Sequence, residues 1–373
     1  MSNDYLRKNI RLYPDAEQNS TFFRYAGAMR WAYNEAKAIS DRFYKKTGKT
    51  LPARQIRYLI RQERDHIPDY SWLSEIPYHI IKKGVANYCE AREHFFKKIS
   101  QAPVFKSKDR IRPSFYQRTD NYRRVDRNHI KISGIKKPVR VKVNMPEKVY
   151  DPYIIFDGVY WYLSYAFKPE MKDAELTDEI IGVDVGIRTL ATVSDGRSYP
   201  NINKEDRIKK QERRVKREQR KLSRIYRQNG GEKTTSGYRK QKDKLKKAER
   251  RLKNMRGAYN HEVSKDIVSS RPKMIVIEDL AVKNLMKNRH LSKAIQDCAF
   301  YDLLSKITYK AELQGTEVVK ASRFYPSSKR CHRCGRLKKD LTLSDRIYEC
   351  GCGEIIDRDL NAALNLKEYG LNR

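Results

Sequence analysis

Four cysteines lie within 22 residues near the end of the chain, and their spacing limits what this segment can fold into. The first pair of cysteines lies in CHRCG and the second pair in CGCG. Fifteen residues separate the two pairs, so the pairs flank a short loop. Such clustering in a reducing compartment indicates a metal site rather than disulfides. Four thiolates suit tetrahedral zinc and leave no position open for water, which predicts a structural site. The predicted zinc ligands are Cys331, Cys334, Cys350 and Cys352.

The second pair is separated by one residue rather than the commoner two, and we expect flanking glycines to form the tight turns that this spacing needs. His332 lies inside the first pair and is predicted to be a bystander, because four cysteines already complete the site. Cys89 and Cys298 stand apart and are predicted to be small buried hydrophobic residues. The glycines expected at the turns are Gly335, Gly351 and Gly353.

The net charge of the 373-residue chain is +35, from 81 Lys and Arg against 46 Asp and Glu. This excess argues against an acidic metabolic enzyme and for a polyanionic partner, of which nucleic acid is the first choice. A membrane surface is the rival, but the sequence has no basic amphipathic anchor and no apolar run of membrane-spanning length. The N-terminus lacks the apolar core of a signal peptide, so we expect a cytoplasmic protein.

The segment 204–256 is the most basic part of the chain, with 23 Lys and Arg against 7 Asp and Glu. Apolar residues recur every seven positions on both sides of the breaker NGGEKTTSG at 229–237, which predicts an antiparallel helical hairpin with an apolar seam. Basic residues cover the outer faces, and a face with so few acids indicates nucleic-acid contact. The predicted seam comprises Ile208, Val215, Leu222, Ile225, Tyr238, Leu245, Ala248, Leu252, Met255 and Tyr259.

The first half of the chain predicts a short strand ending at Pro14, a helical bundle over 15–100 and antiparallel strands over 103–169. Asp157-Gly158 forms a hairpin turn between the last two strands. The stretch 105–129 mixes basic residues with three aromatic ones. This mixture is typical of a segment that grips phosphates and stacks bases, but an irregular solvated loop fits equally well. The aromatic residues are Phe115, Tyr116 and Tyr122.

The second half begins with an acidic linker at 171–178 and continues with two strands joined by a tight turn at Gly186. The apolar run KMIVIE after Pro272 predicts a buried strand. A helix over about 291–313, a strand at 317–320, the cysteine cluster and a final helix from Leu360 complete the chain.

Three acidic positions stand where these strands end or the last helix begins. Asp184 lies in the apolar strand IIGVDVG, Glu278 closes MIVIE, and Asp357 and Asp359 open DRDLNAALNL. A carboxylate in an apolar strand is costly to bury unless it is paired or binds metal. This arrangement is typical of an RNase H-like nuclease core, in which two Mg²⁺ ions about 4 Å apart activate water and stabilise the leaving oxygen. Each acid could also have an ordinary structural role: a turn for Asp184, a surface charge for Glu278 and a helix cap for Asp357 or Asp359.

In this order, GVDVGIRTLATVSDG, IVIEDL, FYPSSKRCHRCG and CGEIIDRDLNAALNL resemble the split RuvC nuclease and inserted zinc knuckle of the TnpB family. TnpB proteins are transposon-encoded RNA-guided endonucleases related to miniature type V CRISPR effectors. The N-terminal half is also similar, through NIRLYPDAEQ, SWLSEIPYHIIKKGVANYCEA and PVFKSKDR. The resemblance therefore covers nearly the whole chain.

The resemblance implies a mixed fold class: an α/β RuvC (RNase H-like) domain with an inserted zinc knuckle, a helical recognition lobe and a wedge-like β-barrel. It implies that the catalytic, Mg²⁺-binding acids are Asp184, Glu278 and Asp359, while Asp357 matches a position that is not the usual ligand. The implied boundaries are the first wedge strand at 1–14, recognition lobe at 15–102, wedge barrel at 103–170, linker at 171–178, RuvC-like domain at 179–330, zinc knuckle at 331–353 and RuvC C-terminal segment at 354–373.

The partners implied by the resemblance are a guide RNA and a double-stranded DNA target next to a short transposon-adjacent motif, with the protein acting as a monomer near the prokaryotic nucleoid. All three acids are present, which favours cleavage over an RNA-guided repressor that binds DNA without cutting it. The sequence is also compatible with a transposon DNA-binding protein that needs no RNA, and with a CRISPR-associated miniature effector that differs in the source of its guide.

Overall fold

The computed structural model describes residues 5–169, 175–342 and 345–373. The chain divides into two compact units, Met1–Pro169 and Glu170–Arg373, and combines helices with sheets in both. Of the predicted linker, residues 171–174 lie outside the described residues. The last two linker residues, 177 and 178, belong to a strand that starts at Thr177. The exposed first half of this strand extends beyond the apolar residues from which the strand was predicted.

Among residues 5–169, the first unit contains seven strands, three α-helices and two short 3-10 helices, Pro68–Glu75 and Thr119–Asn121. In chain order its elements are β1 Leu6–Tyr13, α1 Ala16–Thr47, α2 Ala53–His66, α3 Tyr78–Phe96, β2 Ser114–Tyr116, β3 Arg123–Asp126, β4 His129–Lys131, β5 Val139–Val141, β6 Tyr150–Phe156 and β7 Trp161–Phe167.

Helix α1 begins and ends where its terminal residues satisfy the backbone. The Asp15 carboxylate accepts a hydrogen bond from the backbone N–H of Gln18 at 2.8 Å, and the Gln18 side chain accepts one from the Asp15 N–H at 3.1 Å. This reciprocal capping box starts the helix, and Gly48 in the left-handed conformation ends it. The predicted short strand before Pro14 is confirmed as β1, and α1 is the first helix of the segment predicted to be helical over 15–100.

The seven strands form one antiparallel sheet in the order β2-β6-β7-β1-β5-β4-β3, which within residues 5–169 runs from one edge strand to the other. Trp161 of β7 is buried, its ring lies 5.2 Å from that of Phe22 in α1, and its indole N–H donates to Asn19 at 2.8 Å. Phe115 and Tyr122 are buried in the same core, so for these two residues the structure excludes base stacking, one of the two alternatives that the sequence left open: their apolar surface stabilises the sheet.

The described part of the second unit contains seven further strands, six α-helices and a 3-10 turn at Ile202–Lys204. In chain order its elements are β8 Thr177–Asp184, β9 Thr189–Val193, β10 Ser198–Pro200, α4 Asp206–Gln228, α5 Ser236–Ser269, β11 Pro272–Glu278, α6 Val282–Leu285, α7 Ser292–Cys298, α8 Phe300–Glu312, β12 Glu317–Ala321, β13 Ile347–Glu349, β14 Ile355–Asp357 and α9 Arg358–Leu371.

Five of these strands form a mixed sheet in the order β10-β9-β8-β11-β12, in which β8, β11 and β12 are parallel. Side chains alternate between its two faces. Ile181, Val183 and Ile277 pack in the core that α5 and α8 contribute to, whereas Val276 packs with Leu366 of α9 on the opposite face. Each face of the parallel part is thus covered by helix, as parallel sheets require.

The basic hairpin is confirmed as two contacting helices, α4 and α5, although α5 continues to Ser269, beyond the predicted end at 256. Its seam differs from the prediction, because polar side chains share it. Gln211 is buried and donates to the Ala248 carbonyl at 2.8 Å, and buried Gln241 donates to the Glu218 carboxylate at 2.8 Å. The predicted helix over 291–313 is divided into α7 and α8 by Ala299, which adopts φ +51°.

Within the described residues, no helix has both the length and the apolar character needed to cross a lipid bilayer.

Candidate active site

Asp184 and Glu278 end two neighbouring parallel strands of the second unit. In the β8–β11 ladder Val183 pairs with Ile277, so the next residues on each strand, Asp184 and Glu278, lie side by side. Neighbouring strands are about 4.8 Å apart, and paired residues of a parallel ladder point to the same face. Two carboxylates that are 94 positions apart in the chain are therefore adjacent in the fold.

Helix α9 brings the third acid to the same face. At Gly182 of β8 an added Cβ would lie 2.1 Å from the Ala363 carbonyl oxygen, so only glycine allows the helix to approach this closely. Gly370, near the other end of the helix, lies against Val276 and Ile180. Helix α9 thus runs antiparallel to β8, which places its first turn, with Asp359, at the strand end that carries Asp184.

The pKa of Asp184 reflects the proximity of the other two acids. The residue is only 8% exposed, and burial together with the charges of Glu278 and Asp359 raises the pKa of its carboxyl well above the ordinary value. Burial also raises the pKa of Asp359, with a further contribution from the charge of Asp357. Ionising all three carboxylates of such a cluster is costly unless positive charge lies near them.

Asp357 and Asp359 have different roles, although they are two residues apart. The Asp357 carboxylate is exposed and accepts hydrogen bonds from the backbone N–H groups of Asp359 at 2.8 Å and Leu360 at 3.1 Å. It is therefore the N-cap of α9, which is the structural role expected for one residue of this pair. Asp359 instead lies in the first turn, with its side chain 17% exposed.

A buried serine, which no sequence pattern singled out, contacts the acid cluster. The Ser327 hydroxyl donates to the Glu278 carboxylate at 2.5 Å. Its backbone carbonyl accepts a hydrogen bond from Asn365 at 2.8 Å, and Asn361 donates to the Arg330 carbonyl at 2.8 Å. Asn361 and Asn365 are fully buried and one helical turn apart. Two polar residues on the inward face of an apolar helix need buried hydrogen-bond partners, and this was the sequence signal that could have pointed to the segment of Ser327.

Arginines also surround Asp359. Arg358 lies 3.8 Å from the Asp359 carboxylate, and the charges of Arg358, Arg346 and Arg188 all act to lower the pKa of Asp359. These cations come from three different segments of the second unit. They offset part of the repulsion within the cluster without abolishing it, since the pKa of Asp359 stays raised.

The four cysteines converge more tightly than the acids. Their sulfur atoms all lie within 4.8 Å of one another, and among the described residues they are the group of potential metal ligands that meets this distance. Cys331 and Cys352 are 3.8 Å apart at Sγ, and Cys334 and Cys350 are 3.6 Å apart. Four ligands at a Zn–S distance of about 2.3 Å form a tetrahedron with edges of about 3.8 Å, so the thiols fit zinc.

The turns of this cluster carry the expected hydrogen bonds. The Gly335 N–H donates to the Cys331 carbonyl at 2.9 Å, and the Gly353 N–H to the Cys350 carbonyl at 3.0 Å. Both glycines have positive φ, whereas Gly351 does not. His332 is a bystander as predicted, since its Nε2 lies 3.2 Å from the Glu354 carboxylate instead of joining the thiols.

The thiols have unequal acidities. Burial raises the pKa of Cys331 to about 11, whereas a hydrogen bond from the Arg336 backbone N–H lowers the pKa of Cys334 to about 7. The two cysteines outside the cluster, Cys89 and Cys298, are buried as predicted.

A basic cleft lies along the hairpin of α4 and α5. Arg207, Lys210, Arg214 and Arg217 follow one another at helical spacings of three and four residues. The lining also includes Arg213, Arg251, one acid and two uncharged residues, Glu218, Gln211 and Met255. A row of cations with this spacing matches a polyanionic backbone better than a mixed-charge solvated surface.

Three family models match parts of the chain. They are the helix-turn-helix domain of IS605 OrfB proteins over residues 4–49, the probable transposase OrfB of IS605 over 162–289, and the Cas12f1-like TNB domain over 300–366. The last of these spans all four cysteines of the thiol cluster together with Asp359.

Two curated relatives match along nearly the whole chain. A Streptomyces pristinaespiralis protein, named as a candidate RNA-guided DNA endonuclease, is 29% identical over 371 residues, which cover 97% of this chain and 88% of that protein. An Escherichia coli K12 protein with the same kind of name is 26% identical over 393 residues, covering 97% of this chain and 91% of that protein.

A solved structure shares the fold. The matching chain comes from a complex of Cas12f1 with single-guide RNA and target DNA, with a TM-score of 0.55 and 14% identity over 97% of this chain and 98% of that chain. This likeness supports the mixed α/β architecture of the chain.

Proposed function

Since the chain belongs to the TnpB family, we propose that it is an RNA-guided DNA endonuclease whose active site comprises Asp184, Glu278 and Asp359. The observation that carries this proposal is the convergence of three acids on the α9 face of the sheet, from the ends of two parallel strands and the first turn of a helix. A purely structural role would not explain why Asp184 is buried beside two other carboxylates.

The residues of the cluster fit divalent cations. Carboxylate oxygens are the ligands that Mg²⁺ prefers, and the mutual repulsion that raises the pKa of Asp184 is relieved when positive charge lies between the acids. Two bound Mg²⁺ ions would supply activation of the attacking water and stabilisation of the leaving 3′ oxygen. Ser327 would hold Glu278 in a fixed orientation through its 2.5 Å hydrogen bond.

The zinc site has a structural role in this proposal. The four thiols match the edges of a zinc tetrahedron and fill every coordination position, so no ligand position remains for substrate. Zinc would fix the segment around Cys331, which is attached to α9 through Asn361 and Asn365.

Guide RNA and double-stranded target DNA are the proposed partners, read mainly by base pairing rather than by protein contacts. The net charge of +35 and the row of arginines on α4 support a nucleic-acid partner. The recognition lobe at 15–102, wedge at 103–170 and RuvC-like domain from 179 stay predictions, as does a monomeric state, which sedimentation of the purified complex measures.

The first experiment is to sequence the RNA that co-purifies with the expressed chain and to assay plasmid cleavage with that RNA and Mg²⁺. We expect one enriched structured RNA and cleavage that depends on it. Random RNA fragments favour the RNA-independent DNA-binding protein. Tight target binding without cuts favours the repressor.

The second experiment replaces Asp184 by alanine in the same cleavage assay. We expect cleavage to fall about a thousandfold or more, because the Lewis-acid contribution is worth several kcal/mol, while RNA binding is unchanged. The matched control is Glu317→Gln, an exposed carboxylate at the opposite end of the same sheet. Normal cleavage by Asp184→Ala overturns the site assignment.

A further inference from the structure

The turn that follows β12 exposes a large aromatic side chain without a packing reason. Phe324 is 91% exposed, more than any other large hydrophobic side chain among the described residues. Single exposed apolar side chains are common on protein surfaces, so the exposure of Phe324 becomes informative only through its position and its attachment to the fold.

Phe324 does not project because its segment is loosely attached. Its neighbour Arg323 forms an ion pair with Asp279 at 2.8 Å. On the other side, the Tyr325 hydroxyl donates to the Asn365 carbonyl at 3.0 Å, and the Tyr325 N–H donates to the Ser322 carbonyl at 2.9 Å. The backbone on both sides of the ring is therefore anchored to the elements that carry the acids.

The ring also lies near the acid cluster. Ser327, whose hydroxyl is 2.5 Å from the Glu278 carboxylate, is three residues further along, so the two Cα atoms are at most about 11 Å apart. With both side chains and the hydrogen bond included, the ring and the Glu278 carboxylate are at most about 20 Å apart, which corresponds to about six nucleotides along a stacked strand. A polymer with its scissile bond at the acids would therefore pass within reach of Phe324.

The surroundings of the ring favour a polyanion. Residues 318–339 contain eight Lys and Arg and no Asp or Glu. An exposed aromatic ring in a basic segment, next to the proposed phosphodiester-cleaving site, is a combination with which proteins hold single-stranded nucleic acid: cations follow the backbone and the ring stacks on a base.

We propose that Phe324 stacks on a base of the single DNA strand that enters the acid cluster, within about six nucleotides of the cut. This inference rests on the proposed endonuclease function and adds a substrate-positioning residue to it. Stacking would hold the strand in register with the acids, and it tolerates any base because every base has a π face.

The test uses the full chain with its co-purified guide RNA and a target in which 2-aminopurine replaces one base at a time along each strand. Ca²⁺ replaces Mg²⁺ for the fluorescence measurement, and cleavage is followed separately in Mg²⁺. We expect one or two neighbouring positions to be quenched in the wild type and brighter in Phe324→Ala. Cleavage by Phe324→Ala should be about tenfold slower, with guide binding and melting temperature unchanged.

Conservative variants and a distant aromatic residue are the controls. Phe324→Trp should retain the quenching and cleave within about twofold of the wild type, whereas Phe324→Leu should behave like the alanine variant because it is apolar but cannot stack. Tyr301 is 76% exposed on α8, and Tyr301→Ala should change neither readout.

Equal fluorescence and equal cleavage for Phe324→Ala and the wild type overturn the proposal, and so does a loss of guide binding or a lower melting temperature, which identifies a structural contact. A wild-type protein that binds its target but never cuts contradicts the endonuclease function, while the fluorescence comparison still decides the stacking contact.

Discussion

The acid cluster and the thiol cluster of the second unit are built in opposite ways. The acids come from the ends of β8 and β11 and from the first turn of α9, so regular elements far apart in the chain hold them. The thiols come from two turns 22 residues from end to end. The thiols already have the spacing of a zinc tetrahedron, whereas the acids repel one another, as the raised pKa of Asp184 records.

This contrast indicates different uses of metal-binding free energy. The thiols lie in a segment with little secondary structure, so the free energy of zinc binding would contribute directly to the folding of that segment. A carboxylate cluster that a packed sheet forces together is strained before the cation arrives, and such sites trade stability for function. Variants of the two clusters should therefore change stability in opposite directions.

The largest effect is expected for Cys331→Ser, because Cys331 is the fully buried ligand of the thiol cluster. We expect zinc content to fall from about one ion per chain to near zero, and the free energy of unfolding to fall by on the order of 5 kcal/mol. Mass spectrometry of the native protein and thermal unfolding measure the two. The control Cys89→Ala alters a buried cysteine outside the cluster and should retain zinc; full zinc content and unchanged melting in Cys331→Ser would contradict a structural site.

The opposite result is expected for Asp184→Asn in buffer without Mg²⁺. Burial and the neighbouring acids raise the folded-state pKa of Asp184, so the folded protein binds more protons than the unfolded chain between the two pKa values. Wild-type stability should therefore fall as pH rises from about 4 through the folded pKa. The amide cannot ionise, and we expect Asp184→Asn to be more stable at pH 8 by on the order of 1 kcal/mol while it no longer cleaves.

Melting curves between pH 5 and pH 8, with and without Mg²⁺, measure this difference. Mg²⁺ should stabilise the wild type and leave Asp184→Asn nearly unchanged. Its addition should therefore remove most of the difference in melting temperature between the two proteins at pH 8. Glu317→Gln, at the other end of the sheet, should follow the wild type at every pH. A destabilised Asp184→Asn would mean that the carboxylate supports the fold, and the contrast between the two clusters would fail.

A smaller effect is expected where the two clusters meet, at Ser327. The Ser327 hydroxyl donates to the Glu278 carboxylate, and the Ser327 carbonyl accepts a hydrogen bond from Asn365 of α9. Ser327 also lies four residues before the first cysteine of the thiol cluster. Ser327→Ala should slow cleavage about tenfold, since a hydrogen bond to a charged group is worth about 1.5–3 kcal/mol, but zinc content should stay at the wild-type value. Cleavage kinetics and metal analysis of Ser327→Ala and its neighbour Ser328→Ala separate the two roles, and loss of zinc in the former would assign Ser327 to the thiol cluster.

The same contrast explains how much the sequence could predict. Spacing alone predicts the thiol cluster, because all four ligands lie in one local segment. The meeting of Asp184 with Glu278 and Asp359 depends on strand register and on the close contact at Gly182, which no local pattern contains. The positions of the acids suggested an RNase H-like core, but the choice of Asp359 over Asp357 needed the family resemblance.

Predictions failed where tertiary contacts decide exposure. Phe115 and Tyr122 lie in a basic segment but are buried. Gln211 and Gln241 are polar residues in the heptad seam, where each donates a hydrogen bond to the opposite helix. Composition predicts neither result, because burial of an aromatic or amide side chain depends on which partner the fold places opposite it. The helix and strand periods themselves were predicted well, since they depend on local spacing.

The smallest effect tests the boundary of the acid cluster at Asp357. This residue caps α9 through the N–H groups of Asp359 and Leu360, so Asp357→Ala should reduce the free energy of unfolding by about 1 kcal/mol, and Asp357→Asn, which can still accept those hydrogen bonds, by a few tenths at most. Because a cap is not a metal ligand, Asp357→Asn should cleave within about twofold of the wild type, whereas Asp359→Asn should be inactive. Thermal unfolding and plasmid cleavage of the three variants check this. Equal inactivity of Asp357→Asn and Asp359→Asn would place Asp357 among the ligands, and the cluster would then contain four acids rather than three acids and a helix cap.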